Sequence, residues 1–262
     1  LLTPKRKFDE RRPGQRLGDA LVELGPSYIK AGQVLATRLD LIGEQGSEDL
    51  SNLQDKLAGF DPALAERQLL ADFGKGSAAL FASFDREPVS AASVAQVHFA
   101  VTHEGEEVAV KFLRPDIRKA FERDLRLFRW LAWLTGLLPS TKSLNAQGLL
   151  DVYQAQIQTE TDLRLEAAAM ETFHDYNAEE GRVVVPRANW DLTSKSVLTM
   201  TRLSGVSMND RDGLLAAGHD LEQVFGQAAE LLFLSIFRDG YFHGDQHGGN
   251  LSITGQGQVA LV

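Results

Sequence analysis

His243-Gly244-Asp245-Gln246-His247-Gly248-Gly249-Asn250 follows an apolar helical stretch, Leu221–Arg238, and precedes a short hairpin pattern, Leu251–Ile253 and Gln258–Val262 around Gly255-Gln256-Gly257. A phosphotransfer loop needs an aspartate near the acceptor and, five residues later, an asparagine for a phosphate-bridging metal. Asp245 and Asn250 have that spacing, and the position between helix and hairpin suits it. Two other readings stay open. His243, Asp245 and His247 alternate, so on a strand they would share one face and could ligate a metal. The loop could also be merely polar and glycine-rich.

Outward from this loop, Glu107-Val108-Ala109-Val110-Lys111 reads as a strand ending in a lysine. Phosphotransferases set such a lysine against the α- and β-phosphates and lock it with a helix glutamate, although a strand lysine is often simply exposed. One hairpin upstream lies Ser90-Ala91-Ala92-Ser93, where a phosphate-covering loop belongs. It has small residues but no glycine, and alanine does not adopt positive φ cheaply. Its backbone path is therefore expected to differ from that of a glycine-rich loop, the alternative being an ordinary tight strand turn. The acidic partner is sought in Glu160-Thr161-Asp162-Leu163-Arg164-Leu165-Glu166. Asp162 and Glu166 are four apart and share a helix face, whereas Glu160 points elsewhere. Glu160 is taken as the first partner for Lys111 and Glu166 as the second. Lys30-Ala31-Gly32-Gln33 lies in an apolar helix, where Lys30 and Gln33 project together. That pair suggests a polar pocket being filled, or a lysine that snorkels.

The rest of the chain is organised around these segments. Leucine spacing predicts a helix from Arg16, interrupted at Gly25-Pro26-Ser27, with Ser27 capping a second helix through Arg38. Further helices are predicted over Asp49–Ala58 and Pro62–Phe73, the latter opened by Asp61 with Pro62 at its first position. Strands are predicted at Phe81–Arg86, Val94–Thr102, Glu107–Leu113, Val183–Val185 and Ser196–Thr201. Long helices are predicted over Pro115–Leu138 and Ala146–Asn177, and a buried one over Leu221–Arg238. The expected division is a helical layer over 1–80, a small strand-bearing lobe over 81–204, and a second lobe beginning at 205 and running to 262.

Composition sets the outer bounds. The 262 residues carry 27 basic and 36 acidic side chains, a formal charge of −9, with 44% apolar and 24% charged residues. This is ordinary globular usage, and the acidic balance argues against a nucleic-acid binder. Lys5, Arg6, Lys7, Arg11, Arg12 and Arg16 crowd the start, where they could touch anionic lipid or simply be solvated. Trp130–Leu138, following Arg126 and Arg129, reads as a buried helix or as a segment for a membrane interface. The absence of cysteine excludes disulfides and thiolate chemistry, and fits a reducing compartment. No stretch is long and apolar enough for a spanning helix, no signal peptide is visible, and a soluble chain is expected.

Taken together, these motifs resemble the UbiB (aarF-domain) family of atypical kinases. Leu24-Gly25-Pro26-Ser27-Tyr28-Ile29-Lys30-Ala31-Gly32-Gln33 is similar to its K-x-G-Q signature, and Ser90–Ser93 resembles its alanine-rich replacement for the glycine loop. Lys111 matches its strand lysine, Glu160 and Asp162 its E-x-D motif, and Asp245 and Asn250 its catalytic loop. The resemblance runs from about Arg16 to the end. It implies an α+β, protein-kinase-like bilobal fold with an N-terminal helical extension. It also implies ATP and Mg²⁺ bound between the lobes. The catalytic residues would be Asp245, Lys111 and Glu160. Nucleotide contacts would come from Ser90, Ala91, Ala92, Ser93, Lys111, Lys30, Gln33 and Asp162, with Asn250 as metal ligand. Lys30 and Gln33 would restrict access, favouring ATPase-like activity over protein phosphorylation, in support of ubiquinone biosynthesis. Partners would be a lipid or quinone precursor and ubiquinone-biosynthesis proteins, with peripheral membrane contact at the cytoplasmic face of a bacterial membrane or the matrix side in mitochondria. The alternative is an inactive nucleotide- or lipid-sensing scaffold. Gly248, and in some members Gln246, stands where the family often carries proline. Val259–Val262 falls where a strand should lead into D-F-G, so the second lobe is expected to be incomplete, turnover poor, and apolar surface of Leu221–Phe237 exposed.

Overall fold

The computed structural model describes residues 11–51, 53, 58–136, 145–177, 183–242 and 250–261. The chain divides into two compact units. One takes in the chain up to Phe60, Ala91–Ala95 and Leu113–Thr161, and the other Asp61–Ser90, Gln96–Phe112 and Asp162–Val262.

The first unit is helical. Helices α1 (Pro13–Leu24), α2 (Pro26–Ala36) and α3 (Leu39–Ser51) pack on one another. Gly25, at φ 105°, caps α2, and Pro26 begins it. The predicted cap at Ser27 is thus displaced by two residues, because Gly25 tolerates the positive φ and proline suits the first helical position. The helix predicted over Asp49–Ala58 instead begins at Leu39 and is kinked at Gly43. Its apolar periodicity is weak, and its Leu50 is buried with Ala36 of α2 and with Leu53, packed against Leu21, Val22 and Leu35. Helices α6 (Ile117–Gly136) and α7 (Ala146–Glu160) complete the unit. Phe121 and Phe128 meet Tyr153 edge-on, and Tyr28 meets Phe128 likewise. The Tyr153 hydroxyl, 2.9 Å from the Ser27 carbonyl oxygen, donates to it. Burial raises the Tyr153 pKa from its ordinary value.

The second unit begins with α4 (Pro62–Phe73), where Asp61 accepts from the Ala63 N–H, followed by the single turn α5 (Ser77–Leu80). Its first sheet has the order β1 (Ser83–Phe84), β3 (Ala95–Val101), β4 (Glu107–Leu113), β6 (Val197–Thr201), with β2 (Ser90–Ala91) pairing β3. β4 is antiparallel to β6, with Lys111 opposite Leu198. As a central strand β4 is buried over nearly its whole length. Val108, Val110 and Phe112 turn to one side and Ala109 and Lys111 to the other. α4 is tied to this sheet by Gln68, which donates to the Ser196 carbonyl, and by Asp72, which accepts from Ser194 and Ser196.

A second sheet, β5 (Val183–Val184), β9 (Val259–Leu261), β8 (Leu251–Ile253), β7 (Val206–Ser207), contains the anticipated terminal hairpin. Its core joins Leu251, Ile253, Val259 and Leu261 to Phe173 of α8 (Leu163–Asn177), Leu214 of α9 (Arg211–Ala216), and Val224 and Leu231 of α10 (Leu221–Leu234). α10 runs into a π-type turn at Ser235–Asp239 that ends at Gly240, φ 64°. The sequence predicts a buried helix here that leaves apolar surface of Leu221–Phe237 open; one stripe is buried, while Phe225, Phe233, Ile236 and Phe237 are exposed.

Ala146–Asn177, predicted as one helix, is two. Thr161 ends α7 with its hydroxyl on the Ile157 carbonyl. Arg118 donates to the Thr161 carbonyl, and the Leu163 N–H bonds to the Lys195 carbonyl, 3.1 Å away. Bonds from distant segments thus replace those that would have continued the helix.

One buried titratable group sits in the first sheet. His98 donates from Nδ1 to the Asp85 carbonyl and accepts at Nε2 from the Gln96 amide, stacked on Phe84 and edge-on to Phe112. Burial lowers its pKa from the ordinary 6.5, against the opposing pull of Asp85 and Glu87. The unfolded chain therefore binds this proton more readily than the folded one, so stability is retained above about pH 6.5 and lost as pH falls below it. Thermal melts at about pH 7.5 and 5.5 should show a larger loss for the parent than for His98→Gln. Equal losses would show that His98 is not the titrating group.

Candidate functional site

Lys111 comes from the middle of the first sheet and reaches α8. Its Nζ donates to both carboxylate oxygens of Glu166, at 2.8 and 2.9 Å. Both side chains are partly exposed, so a ligand can reach the pair. Glu160, the first-named partner for Lys111, is held instead by Lys30 at 2.8 Å. The break at Thr161 explains the exchange, since it places Glu160 at the end of α7 and Glu166 in the first turn of α8. Each acid then takes the lysine within its own unit.

Lys30 is only 7% exposed. Gln156 also donates to Glu160, at 2.9 Å. Gln33 lies on α2 and is partly buried. Between them, Gly32 admits close packing: a Cβ there would stand 2.5 Å from Leu53 Cδ1 and 2.7 Å from Leu21 Cδ1. Gly32→Ala is expected to cost about 1–3 kcal/mol through overpacking, measurable by urea unfolding. No loss would mean that the two leucines move aside freely. The K-x-G-Q segment therefore combines a buried charge with a close helix contact.

Asp162 caps α8, accepting from the Arg164 N–H and from the Arg164 guanidinium. The guanidinium holds its carboxyl below the usual range. Ser90–Ser93 forms a tight turn, with the Ala92 N–H on the Ala95 carbonyl. Arg114 donates to the Ala92 carbonyl at 2.8 Å. Ser93 is fully buried, and its hydroxyl has no hydrogen-bond partner among the described residues. Asn250 stands at the head of β8. Asp245, with the rest of His243–Gly249, lies outside the described residues. Sequence reasoning missed Arg118 as the residue that closes α7, because nothing in its surroundings distinguishes it from other helix-surface arginines.

The sequence profile of the ABC1 atypical kinase-like domain matches residues 52–262. The chain belongs to this family. Within the ABC1 family, it is 36% identical over 251 residues to the Probable protein kinase UbiB of Tolumonas auensis, covering 95% of this chain and 46% of that protein. It thus spans about half the length of that curated relative. Among solved structures it is similar to Rv3197 of Mycobacterium tuberculosis, described as an erythromycin complex. The TM-score is 0.67 and the identity 30%, over 94% of this chain and 62% of that one. The fold is accordingly the kinase-like α+β fold, and the ABC1 match includes Lys111, Glu160, Glu166 and Asn250.

Proposed function

We propose that this chain binds ATP with Mg²⁺ and works as an atypical kinase or ATPase in support of ubiquinone biosynthesis. The observation that carries the reading is the Lys111–Glu166 ion pair, the strand-lysine and helix-glutamate arrangement that phosphotransferases use. Bound ATP with its metal supplies the phosphoryl group and neutralises its charge. Lys111, oriented by Glu166, would donate to the α- and β-phosphate oxygens. Ser93, whose hydroxyl has no partner among the described residues, would be a further donor once nucleotide opens the turn, beside the small residues Ser90, Ala91 and Ala92. The Asn250 amide oxygen is a hard donor suited to Mg²⁺, and Asp245 would orient the acceptor or water.

Lys30 and Gln33 would limit access by large acceptors, with Glu160 holding Lys30 in place. Asp162, paired with Arg164, would lie in the nucleotide's surroundings, as the family resemblance implies. In this reading residues 1–80 form the helical layer, 81–204 the small lobe and 205–262 the part of the second lobe that carries the catalytic loop. The partners are ATP, a lipid or quinone precursor and proteins of quinone biosynthesis, on the cytoplasmic or matrix side.

Titration with ATP, with and without Mg²⁺, tests the reading. Saturable binding strengthened by Mg²⁺ is expected, together with slow hydrolysis that Asp245→Asn abolishes. Binding without any turnover would favour a nucleotide-sensing scaffold, and no binding would remove the proposal.

A further inference from the structure

The second unit contains a cavity of about 680 Å³ lined by none of the residues assigned to the nucleotide above. That volume is in the range of small-molecule sites. Its long wall is α10, where Gln223, Gln227, Glu230 and Leu234 follow at spacings of four, three and four and so form one stripe. Val224 and Leu231 flank the stripe, and Asp220 stands at its start as the N-cap. Asn177 at the end of α8, the loop 217–220 and the hairpin turn 255–258 supply the other walls. These walls are held by backbone hydrogen bonds. The Gly218 and His219 N–H groups close α9 on the Leu215 and Leu214 carbonyls, and the Gly257 N–H bonds to the Thr254 carbonyl across the turn.

The polar groups of the lining are acceptors in search of donors. Asn177 is only 6% exposed, and its Nδ2 donates to the Phe173 carbonyl at 2.8 Å, which leaves Oδ1 to accept. The Gln227 Oε1 is shielded from solvent and has no hydrogen-bond partner among the described residues. A shielded acceptor without a donor is costly, and rotation of the terminal amide would present it to a donor in the cavity. Asp220 and Glu230 add carboxylates ten residues apart, about 15 Å along the helix axis. Among the described lining residues there is no lysine, arginine, phenylalanine, tyrosine or tryptophan. An anion would have no charge to meet, and a flat ring nothing to stack on. No three His, Asp or Glu side chains among the described residues are grouped for a metal ion.

We propose that this cavity binds a linear alkyl polyamine. Terminal ammonium groups meet Asp220 and Glu230, inner N–H groups meet the amide oxygens of Asn177 and Gln227, and the methylene runs lie on Val224, Leu231 and Leu234. Carboxylates at the ends with amides and aliphatic side chains between them suit a ligand in which charge and methylene alternate. The site is independent of the nucleotide reading, and its test needs no nucleotide.

The test is calorimetric titration of the 262-residue chain with spermine at about 0.15 M salt, where diffuse attraction to a chain of formal charge −9 is screened. Saturable one-to-one binding is expected. Gln227→Leu should weaken it at least about tenfold without lowering the urea midpoint, because the substitution removes a shielded acceptor that had no donor. Glu230→Gln should weaken binding as well. Glu222→Gln takes the same charge from α10 outside the lining and should leave binding unchanged. A parent that shows no saturable spermine binding overturns the proposal. So does Gln227→Leu binding as tightly as the parent, or Glu222→Gln weakening binding as much as Glu230→Gln, since either result would mean diffuse attraction to an acidic surface. A lysine-rich peptide that displaces spermine and binds more tightly through Gln227 and Glu230 would assign the cavity to a partner segment and overturn the polyamine assignment.

Discussion

Lys111→Met is expected to lower ATP turnover by roughly 10²–10³, the usual cost of removing one preorganised charge from a developing phosphoryl transition state. In the proposed role Glu166 orients the lysine, its two carboxylate oxygens 2.8 and 2.9 Å from Nζ, and both side chains are partly exposed. Methionine keeps the length of the side chain, so the strand packing of β4 should survive and unfolding should change little. Glu166→Gln should act in the same direction but more weakly, since it releases the lysine from its position without removing the charge. The measurement is steady-state hydrolysis with a parallel ATP titration. Unchanged turnover in Lys111→Met, with the fold intact, would separate the ion pair from the chemistry.

Glu160→Gln should show the opposite profile, a loss of stability larger than any loss of nucleotide affinity. Lys30 has a side chain only 9% exposed, paired with the 28%-exposed carboxylate of Glu160. Removing one partner of a fully buried pair costs about 3–5 kcal/mol because the other charge is stranded. The partial exposure of Glu160 lets water reach Lys30, so about 2–3 kcal/mol is expected here. Chemical denaturation measures the loss directly. Adding Lys30→Met to Glu160→Gln should recover part of it, because the uncompensated charge is then gone. A double variant no more stable than Glu160→Gln would show that the charge is not the source of the loss.

Much of the architecture was legible locally. The helix starting at Pro62 follows from Asp61 and Pro62, and the terminal hairpin follows from its glycine-bearing turn and apolar flanks. Lys111 at the end of a Val-Ala-Val run marked both a strand and a candidate site. Such features depend on neighbours a few residues away, where backbone sterics, capping and periodicity act. The same is true of the Lys30-Ala31-Gly32-Gln33 motif, whose unusual polarity in an apolar helix was visible from the sequence.

The pairing of acids with lysines was not local. Periodicity over Ala146–Asn177 continues through Thr161, and only Arg118 on the Thr161 carbonyl and Lys195 on the Leu163 N–H reveal the break. That break assigns Glu160 to Lys30 and Glu166 to Lys111. Helix α3 was partly missed for a related reason, since Gly43 and Gly46 weaken its intrinsic preference while Leu21, Val22 and Leu35 supply the packing. The sequence by itself determined most of the helices and strands, though not the start of α3 or the break at Thr161, and pointed to residue types suited to a phosphate. Tertiary structure decided which charge meets which, because an ion pair depends on where distant segments end and turn.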